Sequence, residues 1–264
     1  MVWPFLFWSL VVVFIDLCFG RASLSSAAMD IALFPISPVA GVYWFVYVIG
    51  GLYLIIPVVS PWLRVAGRRE LLFLLGLWLA TLFLPYINIF SGGEIYRVGG
   101  SYYFLLIYMG GFIGYMWLGV YMRRYPIILG SRVAALVLVV LVLALGMLPI
   151  LYGYFVSRGA LPIVTDNLSL SSAFFVLAAF IFFQNFALPR SVERLCNLVA
   201  KYSFGIYLIH IIIIRDGVWR LMEGSRFGSP VWETPFIAVT SLLICLGIVR
   251  ILSRLPKSKY IVGV

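Results

Sequence analysis

Residues 133–156 read VAALVLVVLVLALGMLPILYGYFV, a stretch of 24 residues with no charged side chain. A hydrocarbon layer about 30 Å thick needs roughly 20 apolar residues at 1.5 Å rise per residue. The stretch therefore predicts a membrane-spanning α-helix, and its continuity is unlike the alternation of a barrel strand. Working outward, seven more runs of the same kind can be read. Trp3–Phe19, Val42–Leu63, Glu70–Phe90 and Tyr102–Met122 precede it, and Leu168–Leu188, Ala200–Trp219 and Phe236–Leu252 follow it. The expected fold class is all-α: a polytopic transmembrane helical bundle of about eight spanning helices, forming a single domain over residues 1–264. Composition agrees, with 64% hydrophobic and 11% charged residues and a mean hydropathy of +1.12. That is more apolar surface than one water-exposed core of this length can bury. It excludes a soluble enzyme, a disordered chain and a secreted disulfide scaffold.

The formal net charge is +10. In a soluble domain such a balance suggests nucleic acid. Here the basic residues lie between the apolar runs and read as topology signals, so no nucleic-acid partner is expected. The second, fourth and sixth connections and the tail carry Arg64, Arg68, Arg69, Arg123, Arg124, Arg132, Arg190, Arg194, Lys201, Arg250, Arg254, Lys257 and Lys259. The odd-numbered connections carry Arg21, Arg97, Arg158, Arg215, Arg220 and Arg226. The positive-inside rule then places both termini in the cytosol. The long connections Gly20–Gly41 and Arg220–Pro235 face outward, together with Asp30, Glu94, Asp166, Asp216, Glu223 and Glu233. The lipid bilayer is the first expected partner, and a cell (inner) membrane the expected location.

Polar groups inside spans are costly, which makes them the places to look for chemistry. Ser203, Tyr207 and His210 fall at i, i+4 and i+7, on one helical stripe that carries the chain's only histidine. The stripe fits a proton-transfer or substrate-binding face, and equally a buried histidine satisfied by a neighbouring helix. Arg215 and Asp216 lie further out on the same helix and off the stripe by angle. Asp16, within about one turn of the end of the first run, reads as a carboxylate at headgroup level. Gly110 and Gly114 form a GxxxG spacing that predicts close helix packing. Pro57, Pro85 and Pro149 predict kinks. Tyr43 and Trp44 sit where an aromatic belt is expected. Arg64, Arg68 and Arg69 form a cytosolic basic cluster suited to topology, to the phosphates of coenzyme A or to anionic lipid. Cys18, Cys196 and Cys245 with a single histidine give no standard metal-ligand spacing, so no metal and no bound cofactor are expected. No phosphate loop, dinucleotide fingerprint or serine nucleophile elbow is present.

Four segments in order resemble acyltransferase family 3, the integral-membrane O-acyltransferases. Trp3-Pro4-Phe5-Leu6-Phe7-Trp8-Ser9-Leu10 is similar to that family's third helix. Tyr43-Trp44-Phe45, continued by Gly51-Leu52-Tyr53-Leu54-Ile55-Ile56-Pro57, resembles its Trp-Phe then Leu-Tyr-Leu…Pro helix. Residues 110–121, GGFIGYMWLGVY, resemble its glycine-rich helix, and residues 203–210, SFGIYLIH, its late helix. The resemblance implies transfer of an acyl group, typically acetyl, from acyl-coenzyme A as co-substrate to a hydroxyl of a surface glycan or lipid-linked sugar. It gives Ser203, Tyr207 and His210 catalytic roles. Trp44, Tyr53, Tyr115, Arg215 and Asp216 are expected to bind substrate, and Arg64, Arg68 and Arg69 the acyl donor. The family carries a histidine in its first helix, in an arginine-rich context. This chain has no histidine before His210. It is therefore expected to be N-terminally truncated relative to the family, lacking the first two helices, with a supporting role for His210. Two other readings accompany this one: a non-catalytic remnant or partner subunit that joins a full-length relative or a second copy, and a small-molecule transporter. A transporter calls for more ionisable groups at the midplane, or paired broken helices.

The orientation can be checked by single-cysteine labelling in a cysteine-free background. Cysteines replacing Ser23 and Ser225 should react with an impermeant reagent in intact cells. One replacing Ser258 should react only after the membrane is opened, and its labelling from outside would overturn the orientation.

Overall fold

The computed structural model describes residues 2–90, 111–155, 167–222 and 229–263, without the side chains of residues 84, 85, 88–90 and 153. Residues 102–110 of the fourth run, including Gly110, lie outside the described residues, as do Arg97, Arg158, Arg226, Glu94, Asp166 and Glu223. Pro85 is described in its backbone only. No strand occurs among the described residues. The helices are α1 (Val2–Cys18), α2 (Leu24–Leu33), α3 (Trp44–Val65), α4 (Arg68–Phe90), α5 (Ile113–Arg124), α6 (Arg132–Phe155), α7 (Leu170–Asn185), α8 (Arg190–Met222) and α9 (Pro230–Leu252). The chain is an all-α membrane protein.

Each of the eight apolar runs carries a helix, but among the described residues the count of candidate spans is lower than the expected eight. Among the described residues, four helices are long and apolar enough to cross a membrane: Gly41–Val65, Arg132–Tyr152, Arg190–Met222 and Pro230–Leu252. Two of the others are shortened by identifiable stops. α1 ends after 17 residues, where Gly20 takes a left-handed conformation (φ 65°) and α2 opens on a Ser23 cap. α7 ends after 16 residues, where the Gln184 and Asn185 amides turn to the chain between α5 and α6. Two runs are longer than read. α8 starts at Arg190 rather than Ala200, because Pro189 and Glu193 supply a helix start. α9 starts at Pro230 rather than Phe236, with proline in its first turn. The outward faces are apolar, as lipid requires: Leu54, Val58 and Val65 on α3 are each at least 77% exposed.

The structure falls into two compact units, residues 1–49 with 189–264, and residues 50–188. In the first, α8 packs against α9 through Tyr202, Ile209, Cys245 and Val249, with Val262 of the tail fully buried in the same cluster. Gly205 allows this approach, since a Cβ there would lie 2.8 Å from Val249 Cγ1. Trp8 of α1 donates its indole N–H to the Ile261 carbonyl at 2.8 Å and ties the tail down.

In the second unit α4, α5 and α7 share a core of Leu71, Leu75, Trp78, Leu118, Met122, Ala178 and Ile181. The Trp78 indole donates to the Gly111 carbonyl at 3.0 Å and lies against the bare backbone of Gly114. The close packing expected at this glycine is present. Two amides finish the loop after α5. Gln184 accepts from Ile127 N–H and donates to the Met122 carbonyl, and Asn185 accepts from Leu129 N–H and donates to the Ile127 and Ile181 carbonyls.

A methyl group at residue 114 would lie 2.2 Å from three Trp78 ring atoms, and the indole is only 1% exposed. Gly114→Ala should therefore lower the thermal unfolding midpoint of the purified protein, at an overpacking cost of about 1–3 kcal/mol. Combining it with Trp78→Leu should lose less than the two single losses added together. Equal stability of Gly114→Ala and the parent would contradict the packing.

Candidate active site

The Ser203–Tyr207–His210 stripe lies on α8, within the first unit. Ser203 is exposed, and its hydroxyl donates to the Ala200 carbonyl of its own helix at 2.9 Å. Tyr207 is half-buried and donates its hydroxyl to the Val42 carbonyl. A bond in the opposite sense runs beside it. Tyr43, fully buried, donates to the Leu208 carbonyl at 2.6 Å. Two phenols thus hold α8 to the short 3-10 turn Gly41–Tyr43 that leads into α3. The sequence reading left Tyr43 as an interfacial aromatic. Its partner is 165 residues away, and no local signal pairs them.

His210 is half-buried, with its ring centroid 5.4 Å from that of Tyr207. Its Nδ1 meets the Tyr207 carbonyl, one turn back. A carbonyl only accepts, so Nδ1 carries the proton. In the neutral ring Nε2 then keeps its lone pair, and no hydrogen bond among the described residues engages it. Aromatic side chains line this region. The Phe45 ring is 6.1 Å from Tyr207, and Trp44 packs edge-on against Phe45 at 5.7 Å. Phe5 of α1 contacts Tyr43, Tyr47 and Phe34 with centroids 5.0–5.7 Å away.

Further along α8, residues Ile213–Val218 form a π-helical turn. Such turns rotate the following side chains relative to the helix before them. Arg215 and Asp216 lie in it and meet the end of α1. Arg215 Nη2 lies 2.7 Å from Asp16 Oδ1, and Arg215 Nε donates to Asp216 Oδ2 at 3.1 Å. Arg21 Nη1 donates to Asp16 Oδ1 at 3.0 Å and also pairs with Asp216. The Asp216 carboxylate, the strongest of its partners, holds the Arg21 guanidinium above its ordinary pKa. Two carboxylates and two guanidiniums are matched in one network. Sequence reading treated Asp16 as a headgroup-level carboxylate and missed this grouping. The signal was available, because an acid and an Arg-Asp pair in otherwise apolar runs each need a partner.

The other predicted residues lie in the second unit. Tyr53 is 56% exposed on α3. Tyr115 packs against Trp78 with centroids 4.9 Å apart and donates to the Asn167 carbonyl at 2.5 Å. Arg64 and Arg69 are exposed. Arg68 is exposed as well, with Nε 3.4 Å from the Tyr121 hydroxyl and its guanidinium 5.7 Å from the Tyr125 ring. The structure therefore brings together Tyr207, His210 and the Trp44–Phe45 edge, and separately Arg215, Asp216, Asp16 and Arg21.

Comparison with known proteins gives one finding. A family model described as an acyltransferase domain matches residues 1–250. Neither the curated proteins nor the solved structures compared with the chain include a match. The matched region contains α1 to α8 and all but the last two residues of α9, and with it every residue of the stripe. The chain belongs to acyltransferase family 3.

Proposed function

We propose that the protein is a membrane O-acyltransferase. It would move an acyl group, acetyl in the simplest case, from acyl-coenzyme A to a hydroxyl of a surface glycan or lipid-linked sugar. Its place would be the inner membrane, with both termini cytosolic. Family membership supports the reaction class. The observation that carries the site is the His210 ring, with Nδ1 engaged by the Tyr207 carbonyl and Nε2 left as an acceptor.

In this reading the acceptor hydroxyl donates to His210 Nε2, which aims an oxygen lone pair at the thioester carbonyl carbon. The new C–O bond forms, the hydroxyl proton passes to Nε2, and the C–S bond breaks as the oxyanion collapses. The departing thiolate takes up the proton as coenzyme A. Taking that proton is a general-base step, worth about two or more powers of ten, and goes beyond the supporting role that the resemblance implies for His210. Tyr207 positions the ring through its carbonyl and its packing, and Ser203 offers lone pairs one turn away. Trp44 supplies an aromatic face for a sugar beside Phe45 and Tyr207; Tyr53 and Tyr115 are proposed, within the second unit, as further sugar-binding aromatics. Arg215 and Asp216, set by Asp16 and Arg21, border the acceptor. Arg64 and Arg69, with Arg68 beside them, meet the donor phosphates.

A second reading, a non-catalytic partner of a full-length relative or a second copy, has one observation in its favour. The Ser203 and Tyr207 hydroxyls both donate to backbone carbonyls, as structural groups do.

The test is the O-acetyl content of the host's surface glycan, measured by NMR with membrane levels of the protein held equal. His210→Ala should lower it by about 100-fold or more. Full O-acetylation by His210→Ala, with co-purification of another acyltransferase, would replace catalysis by the partner reading. Arg64→Gln with Arg69→Gln should raise the KM for acyl-coenzyme A at low salt, and the difference from the parent should shrink as salt screens the charges.

A further inference from the structure

Within the second unit, α4, α5 and α7 surround a cavity of about 380 Å³. An apolar cavity of about 150 Å³ is enough to hold benzene and stays dry. The walls are aliphatic and aromatic, with Leu75, Leu118, Met122 and Leu177 prominent among them. Two of its lining residues carry polar side-chain atoms, and both atoms have partners. The Trp78 indole N–H donates to Gly111, and the Tyr121 hydroxyl accepts from Arg68. A water entering here would find few partners.

The cavity is open on the α4 side. Leu72 in its lining is 46% exposed, and Gly76 is exposed with nothing within 4 Å of a Cβ built on it. A dry, laterally open space in a membrane protein is filled by what surrounds it, a hydrocarbon chain. Charge identifies which lipid. Leu72 lies one turn from Arg68, and Tyr121 links the cavity wall to the Arg68 guanidinium. Arg124, also exposed, donates to the Ala66 carbonyl beside it at 3.1 Å. Residues 64–70 and 123–132, on this flank, carry Arg64, Arg68, Arg69, Arg123, Arg124 and Arg132 against the single acid Glu70.

We propose that this cavity binds one acyl chain of an anionic phospholipid, with the lipid phosphate at Arg68 and Arg124. The site does not include His210; it shares Arg68 with the proposed donor site, so it is tested by lipid binding rather than by transfer. It ties the packing of α4, α5 and α7 to the anionic lipid of the leaflet on that side.

The purified full-length protein in detergent would be titrated with dioleoyl-phosphatidylglycerol or dioleoyl-phosphatidylcholine and read by native mass spectrometry. The parent should retain one phosphatidylglycerol per chain, with a Kd about 10-fold below that for phosphatidylcholine. Gly76→Leu fills the cavity from a position where the added atoms meet open space. It should weaken phosphatidylglycerol binding about 10-fold without lowering the thermal midpoint. Should the leucine lower the midpoint, Gly76→Val gives the same reading with a smaller side chain. Arg68→Gln with Arg124→Gln should erase the preference between the two lipids. Equal binding of both lipids by the parent would overturn the headgroup site. Unchanged phosphatidylglycerol binding by a folded Gly76 variant would overturn the chain site and leave only surface arginines.

Discussion

A hydroxyl carried into hydrocarbon has no water to bond to and must find an acceptor within the protein. Tyr43 finds the Leu208 carbonyl, and Tyr207, one residue back on α8, finds Val42, one residue back from Tyr43. This reciprocal pair fixes the chain leading into α3 against α8. It also fixes the Tyr207 backbone, whose carbonyl holds the His210 ring by Nδ1. The free nitrogen of the imidazole, on which the proposed chemistry depends, is a consequence of where two phenols put their protons.

The same constraint organises the charged and amide groups. Asp16, Arg21, Arg215 and Asp216 satisfy one another at the end of α1, and the π-helical turn at Ile213–Val218 is the local distortion in which Arg215 and Asp216 sit. In the second unit, Gln184 and Asn185 complete the backbone of the loop after α5, and Trp78 serves Gly111. Exposed pairs of this kind add little stability in water. Where lipid excludes water the penalty for an unmatched group is larger, and geometry rather than net attraction is what these contacts supply.

Helix positions were legible in the sequence because each apolar run is long and uninterrupted, and each of the eight carries a helix. Span number was less legible. The Gln184–Asn185 pair ends α7 inside a run that hydropathy alone treats as continuous, and α1 stops one residue short of Phe19, with Gly20 left-handed just beyond. α2 was overlooked although Ser23 and Ser26 form a reciprocal cap, because its composition resembles a loop. The Ser203–Tyr207–His210 stripe was readable from helical spacing. Its chemistry was not, since the roles of Tyr207 and His210 depend on carbonyls and on Tyr43, a pairing across 165 residues that spacing cannot reveal. The grouping of Asp16 with Arg215 and Asp216 was recoverable from charge alone, since a charge inside an apolar run needs a partner.

The single histidine makes the central claim directly measurable. Ring-¹⁵N-histidine labelling of the full chain gives the NMR signals of His210 alone. For the neutral ring the structure predicts one protonated Nδ1 and one lone-pair Nε2. Tyr43→Phe, which removes one of the two ties between α8 and the start of α3, should broaden or mix these signals. A parent spectrum showing the proton on Nε2, or an even mixture of tautomers, would contradict the account.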